Sequence, residues 1–105
     1  MMKLQEKIDE RAMQFKDTLD AIWTDNSVNI TYHEEPNRFG GNPHCWADIK
    51  IESYDGDTLL GRMENRIDYP LYAMTEEDFI CRLMAALLAY IEKLAYAYHA
   101  KSQQA

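Results

Sequence analysis

From Phe79 to Tyr98, 17 of 20 residues are apolar, interrupted only by Arg82, Glu92 and Lys93. A stretch this dense has to be covered. A membrane span needs roughly 20 apolar residues in a row, and the longest unbroken run here, Leu83 to Ile91, has nine. The stretch therefore reads as a helix buried on more than one side. Thr75-Glu76-Glu77-Asp78 opens it as a capping box, with acids where the helix dipole favours them. Lys93, His99 and Lys101 suit its negative end, so the helix is predicted over Thr75 to about Lys101, with residues 102–105 frayed.

The rest of the chain supplies the cover. Residues 3–24 repeat with a helical period: Leu4, Ile8, Ala12, Phe15, Leu19 and Ile22 form a stripe that Met13 and Trp23 widen. The period then drops to two. Val28, Ile30 and Tyr32 alternate with polar neighbours over Ser27–His33, and Ala47, Ile49 and Ile51 do so over Cys45–Tyr54. A third strand is predicted over Thr58–Arg66 after the turn Asp55-Gly56-Asp57. Glu34–His44 carries two Pro and two Gly in eleven residues and reads as a long loop. In the hairpin, a three-residue loop at 55–57 sets Ile49 opposite Met63, Ile51 opposite Gly61 and Ser53 opposite Leu59, which pairs like with like.

The fold expected is α+β, in the order α-β-β-β-α: a three-stranded antiparallel meander with two helices packed on one face. The 105 residues form a single domain. Strands of 7 to 10 residues are roughly 25–33 Å long, and a last helix of some 27 residues is roughly 40 Å. Leu94, Tyr96 and Tyr98 are then expected to overhang the core as a homodimer interface. Met13, Met63 and Met84 read as core filler, and Cys81 as a core thiol.

Charge narrows the partners. Eighteen acids against 11 bases give −7. Nucleic-acid phosphates and anionic membranes are recognised by Lys and Arg, so direct binding of either is not expected. The meander topology gathers Glu34, Glu35, Asp68, Glu76, Glu77 and Asp78 at one end of the sheet, together with Arg38, Phe39 and His44. This end reads as an acidic docking surface for a protein with a basic surface, anchored by Phe39 or Trp46.

No arrangement of nucleophile and base presents itself, so no catalytic residue, cofactor or metal is assigned. His33, His44, Cys45 and Cys81 lack zinc-finger spacing, and adjacent strand residues such as His44 and Cys45 point to opposite faces. Phe39-Gly40-Gly41-Asn42 matches no phosphate-loop pattern. Two cysteines 36 positions apart and an N-terminus without an apolar run fit a cytoplasmic protein.

Two layouts resemble known families. The α-β-β-β-α order, with a Pro-His after the first strand, resembles a double-stranded-RNA-binding domain, but Thr75-Glu76-Glu77-Asp78 stands where that family has phosphate-gripping lysines. Acidity, size and helix–sheet order also resemble type III secretion chaperones, which implies a dimeric assembly factor. The leading expectation is a non-enzymatic inhibitor docking on the basic nucleic-acid-binding groove of a partner. It resembles, in class, size and charge, the small acidic proteins with which phages counter host defence nucleases.

Overall fold

A computed structural model describes residues 3–22 and 25–103. Its elements are α1 (Leu4–Ile22), β1 (Asp25–Glu35), β2 (His44–Asp55), β3 (Thr58–Asp68) and α2 (Glu76–Gln103). The strands form one antiparallel sheet in the order β1-β2-β3. This is the α+β meander with two helices that the alternating periods predict. Trp23 and Thr24, which the helical period would include in α1, lie outside the described residues, as do Gln104 and Ala105 at the tail expected to fray.

Both helices cover the same sheet face. Val28, Ile30 and Tyr32 of β1 lie opposite Ile51, Ile49 and Ala47 of β2. Ile8, Phe15 and Leu19 of α1 close over β1, and Phe79, Leu83, Leu87, Tyr90 and Leu94 of α2 complete the core. Among the described residues, the other sheet face carries no helix. There Asp48, Lys50 and Glu52 stand opposite Arg66, Glu64 and Arg62, and the charges pair: Arg66–Asp48 at 3.1 Å, Arg62–Glu52 at 3.7 Å and Lys50–Glu64 at 3.9 Å.

The strands are longer than their apolar alternation indicates. β1 continues through Glu34 and Glu35, which pair with Cys45 and His44. A backbone ladder needs no apolar side chain at the end of a sheet. The hairpin register also differs by two residues from the expected one: Ile51, not Ile49, faces Met63, and Ser53 faces Gly61. The loop is the two-residue Gly56-Asp57, closed by the Asp55–Thr58 pair. Gly56 takes the left-handed conformation, φ 61°, that a primed turn with Gly first requires. A bulge at Ser53/Tyr54 then leaves Leu60 as an extra residue on β3. At Gly61 the backbone passes under α2; a Cβ there would lie 2.8 Å from Leu94 Cδ1.

Three burial expectations are corrected. Leu94 is 1% exposed, packed on its own sheet, and is not available to a dimer interface. The strands of 11, 12 and 11 residues explain this: twelve residues are about 40 Å long at 3.3 Å each, so the sheet reaches under Leu94. Tyr96 is 72% exposed beyond it, and Tyr98 is also exposed. Met13 is exposed on α1 rather than filling the core. Cys81 is exposed on the outer side of α2, where Leu88 is exposed too, whereas Cys45 is buried. The sheet and α1 thus cover two sides of α2 and leave the third to solvent.

Burial pushes the phenols of Tyr32, Tyr69 and Tyr90 above their ordinary value near 10. A raised folded-state pKa contributes stability that is fully present below the unfolded value and is lost as pH rises through the folded one. The urea midpoint is therefore expected to fall above about pH 10, with phenolate absorbance appearing together with unfolding. A constant midpoint across that range would contradict this packing.

Candidate functional site

The antiparallel order brings the end of β1, the start of β2 and the end of β3 to one end of the sheet. Glu35 pairs with His44 and Trp46 with Asp68, and the Tyr69 N–H donates to the Cys45 carbonyl at 2.9 Å. Between the 36–43 loop and the 69–72 turn lies an open groove of about 660 Å³. Cys45 and Tyr69, both buried, help to line it. Pro36, Asn37, Arg38, Phe39, Asn42 and Pro43 line one lip, and Pro70, Leu71 and Tyr72 the other.

Local sequence builds both lips. Asn37 Oδ1 accepts the Phe39 N–H at 3.0 Å, and the Asn37 carbonyl accepts the Gly40 N–H at 3.2 Å. This Asx turn reverses the chain, and Phe39 at its tip is 98% exposed. On the opposite lip the Ala73 N–H donates to the Pro70 carbonyl at 3.0 Å. Tyr72 within that turn is 83% exposed. The turn is anchored from behind: Tyr69 stacks on Phe79 of α2 at 4.6 Å and 7° between ring planes.

Of the docking residues expected from the sequence, the groove brings together Glu35, Arg38, Phe39 and Asp68. Glu34 is exposed beside it at the end of β1. The three acids at the start of α2 divide. Glu76 forms an ion pair with Lys7. Asp78 completes the capping box: its N–H donates to Thr75 Oγ1 at 3.1 Å and its carboxylate accepts the Thr75 N–H at 3.4 Å. Glu34, Glu35, Glu77 and Arg38 form no ion pair among the described residues. Tyr69, Pro70, Leu71 and Tyr72 are groove residues that the alternation pattern passes over. Their signal is an apolar Tyr-Pro-Leu-Tyr in a connection between strand and helix, where solvated residues are the norm.

Trp46 is not part of the groove. It stands on the helix-free sheet face, half-buried among its own neighbours. His33 stacks on it at 5.1 Å, His44 lies against it at 4.7 Å, and the Arg66 guanidinium sits 4.9 Å from its ring centroid. The Asp48 carboxylate ties this cluster together, accepting from Trp46 Nε1 at 3.3 Å and Arg66 Nε at 3.1 Å, with His33 Nε2 at 3.1 Å. Burial alone would raise the Asp48 carboxyl, but these hydrogen bonds and the Arg66 charge outweigh it and hold the carboxyl below its ordinary value. With its ring faces engaged, Trp46 is a cross-strand packing residue, whereas Phe39 stands exposed on the groove lip. His33 and His44 lie on this face, Cys45 in the core and Cys81 on α2, so the four residues do not come together as a zinc site.

No family model, curated protein or solved structure matches the chain. Among the described residues, no helix is long and apolar enough to cross a membrane.

Proposed function

We propose that the protein is a non-enzymatic interaction module that docks the groove end of its sheet on a basic surface of a partner protein. In its most concrete form it is an inhibitor that competes with nucleic acid for a basic groove, as anti-defence proteins do. The observation that carries this reading is the pair of exposed aromatics, Phe39 and Tyr72, on opposite lips of one groove. Side chains of this type, set in a depression, are the usual anchors of protein interfaces. The surrounding charge supports an electropositive partner: the net charge is −7, and Glu34, Glu35 and Glu77 keep their charge uncompensated by ion pairs among the described residues. Long-range attraction would set the association rate, and the aromatics the lifetime of the complex.

The rival reading, a dimeric assembly factor working through the end of α2, loses one of its three residues, because Leu94 is buried. The two readings separate in a capture experiment on cell lysate. Wild type is expected to retain a basic nucleic-acid-binding protein that added duplex DNA or high salt releases. Phe39→Ala with Tyr72→Ala should weaken retention by roughly 30-fold or more, the scale of a hot-spot loss. Glu34→Lys with Glu35→Lys should slow association. Retention unaffected by all four changes, or lost only on Tyr96→Glu, would overturn the groove assignment.

A further inference from the structure

The two edges of the sheet are treated differently. Along β1, the Gln5 side chain of α1 occupies the edge: its Oε1 accepts the Tyr32 N–H at 2.8 Å and its Nε2 donates to the Ile30 carbonyl at 3.3 Å. An added strand would use those same groups. Asp9, Ala12, Met13 and Lys16 of α1 continue the wall along Val28–Thr31. Among the described residues, the β3 edge has no neighbouring strand.

The hydrogen-bond parity of β3 follows from Gln5. Ile30 and Tyr32 turn their backbone groups outward, so Asn29, Thr31 and His33 bond to Lys50, Asp48 and Trp46. The alternate residues of β2, Ala47, Ile49 and Ile51, then bond to Ile67, Asn65 and Met63. Arg62, Glu64, Arg66 and Asp68 are left with backbone groups facing out from the edge. Their side chains stand on the helix-free face, opposite Glu52, Lys50, Asp48 and Trp46.

We propose that this edge pairs with the same edge of a second copy, antiparallel about a two-fold axis at Asn65. Charge complementarity selects the occupant and the register. Read in opposite directions, Arg62-x-Glu64-x-Arg66-x-Asp68 meets its own complement: Arg62 faces the partner copy's Asp68, and Glu64 faces the partner copy's Arg66, each twice. On the helix side Met63 faces Ile67, both half-buried at the edge, and the Asn65 amides meet at the axis. An axis at Glu64 or Arg66 instead sets like charges opposite each other, and an axis at Met63 or Ile67 matches only half of the four. The own-chain pairs Arg62–Glu52 and Arg66–Asp48 lie across the same face, and Arg62 also donates to Glu64 at 2.8 Å along the strand, so Arg62 and Glu64 each serve a neighbour in their own chain as well as one in the other copy. One contact must change: Asn65 Oδ1 now accepts the Arg66 N–H at 2.8 Å, and on pairing that N–H passes to the Glu64 carbonyl of the other copy. The result is a continuous six-stranded sheet in which Asp68, which also lines the groove, pairs with the partner copy's Arg62.

Sedimentation equilibrium tests this directly. Wild type is expected to show a reversible monomer–dimer equilibrium. Glu64→Arg and Arg66→Glu each replace two attractive pairs by two repulsive ones and should weaken dimerisation by roughly tenfold or more. Mixing these two variants restores opposite charges at every position and should recover dimers that neither forms alone. Two Cα atoms facing each other at such an axis are about 4.5 Å apart, within disulfide range. Asn65→Cys in a Cys81→Ser background should therefore cross-link on oxidation, while Ser27→Cys on the opposite edge should not. Circular dichroism reports whether each variant is folded, and the wild-type equilibrium and the Asn65→Cys cross-link stand without the charge variants. A wild type that stays monomeric at every concentration leaves the edge to an extended segment of another protein and overturns the proposal. So do single variants that dimerise like wild type, a mixture that recovers nothing, or a dimer that does not cross-link at Asn65.

Discussion

Phe79→Ala is expected to remove about 3–5 kcal/mol of folding stability. The ring is fully buried, stacks on Tyr69 at 4.6 Å and meets Tyr32 edge-on at 6.2 Å. Truncation removes the apolar transfer energy and leaves a cavity where α2 enters the core. A domain of this size has about 5–15 kcal/mol in total, so the variant sits close to the limit of folding. The urea midpoint should fall with an unchanged slope. Because Phe79 backs Tyr69, the 69–72 lip should loosen as well, read as faster amide exchange there than in β1. A loss below about 1 kcal/mol would mean that the ring stack does not anchor this end of the sheet.

The second effect concerns the buried pair of Tyr90 and Ser53. The Tyr90 hydroxyl hydrogen-bonds to Ser53 Oγ at 2.8 Å, and Ser53 is wholly buried. Tyr90→Phe deprives the serine of this partner, and Ser53→Ala does the same to the phenol. Each is expected to cost about 1–3 kcal/mol. The double variant removes both polar groups together and should cost much less than the sum, because the largest part of each loss is the desolvation of an abandoned hydroxyl. Strict additivity in urea unfolding would show that the two groups do not depend on each other.

The switch of period from 3.6 to 2 and back made the element order and the shared core face readable from the chain. Strand ends were less readable because Glu34 and Glu35 join the ladder through backbone groups, which the side-chain pattern does not report. The register moved by two because matching Ile49 to Met63 counts apolar partners, whereas a Gly-first turn at Gly56 and a bulge at Leu60 fix the actual offset. Those longer strands are also why Leu94 is buried rather than overhanging.

The acidic end was legible from topology alone, since a meander must gather those termini. Its chemistry was less so. Whether Glu76 and Asp78 are available depends on Lys7 and Thr75, which sequence distance hides or leaves undecided. Trp46 alternates outward in the sequence, but only the register brings His33 and Arg66 onto its ring. The 69–72 lip became visible only as a surface.

The groove between residues 36–43 and 69–72 is the proposed contact surface. The most direct measurement is amide chemical-shift mapping of the labelled chain, titrated with whichever basic protein the capture experiment retains. Shifts are expected to concentrate on Asn37–Gly41 and Leu71–Ala73, to spread to Glu34 and Glu35, and to be abolished by added duplex DNA. Shifts confined to β3 or to the end of α2, with both lips unmoved, would contradict the groove assignment and would leave the edge pairing of β3 to stand or fall on its own test.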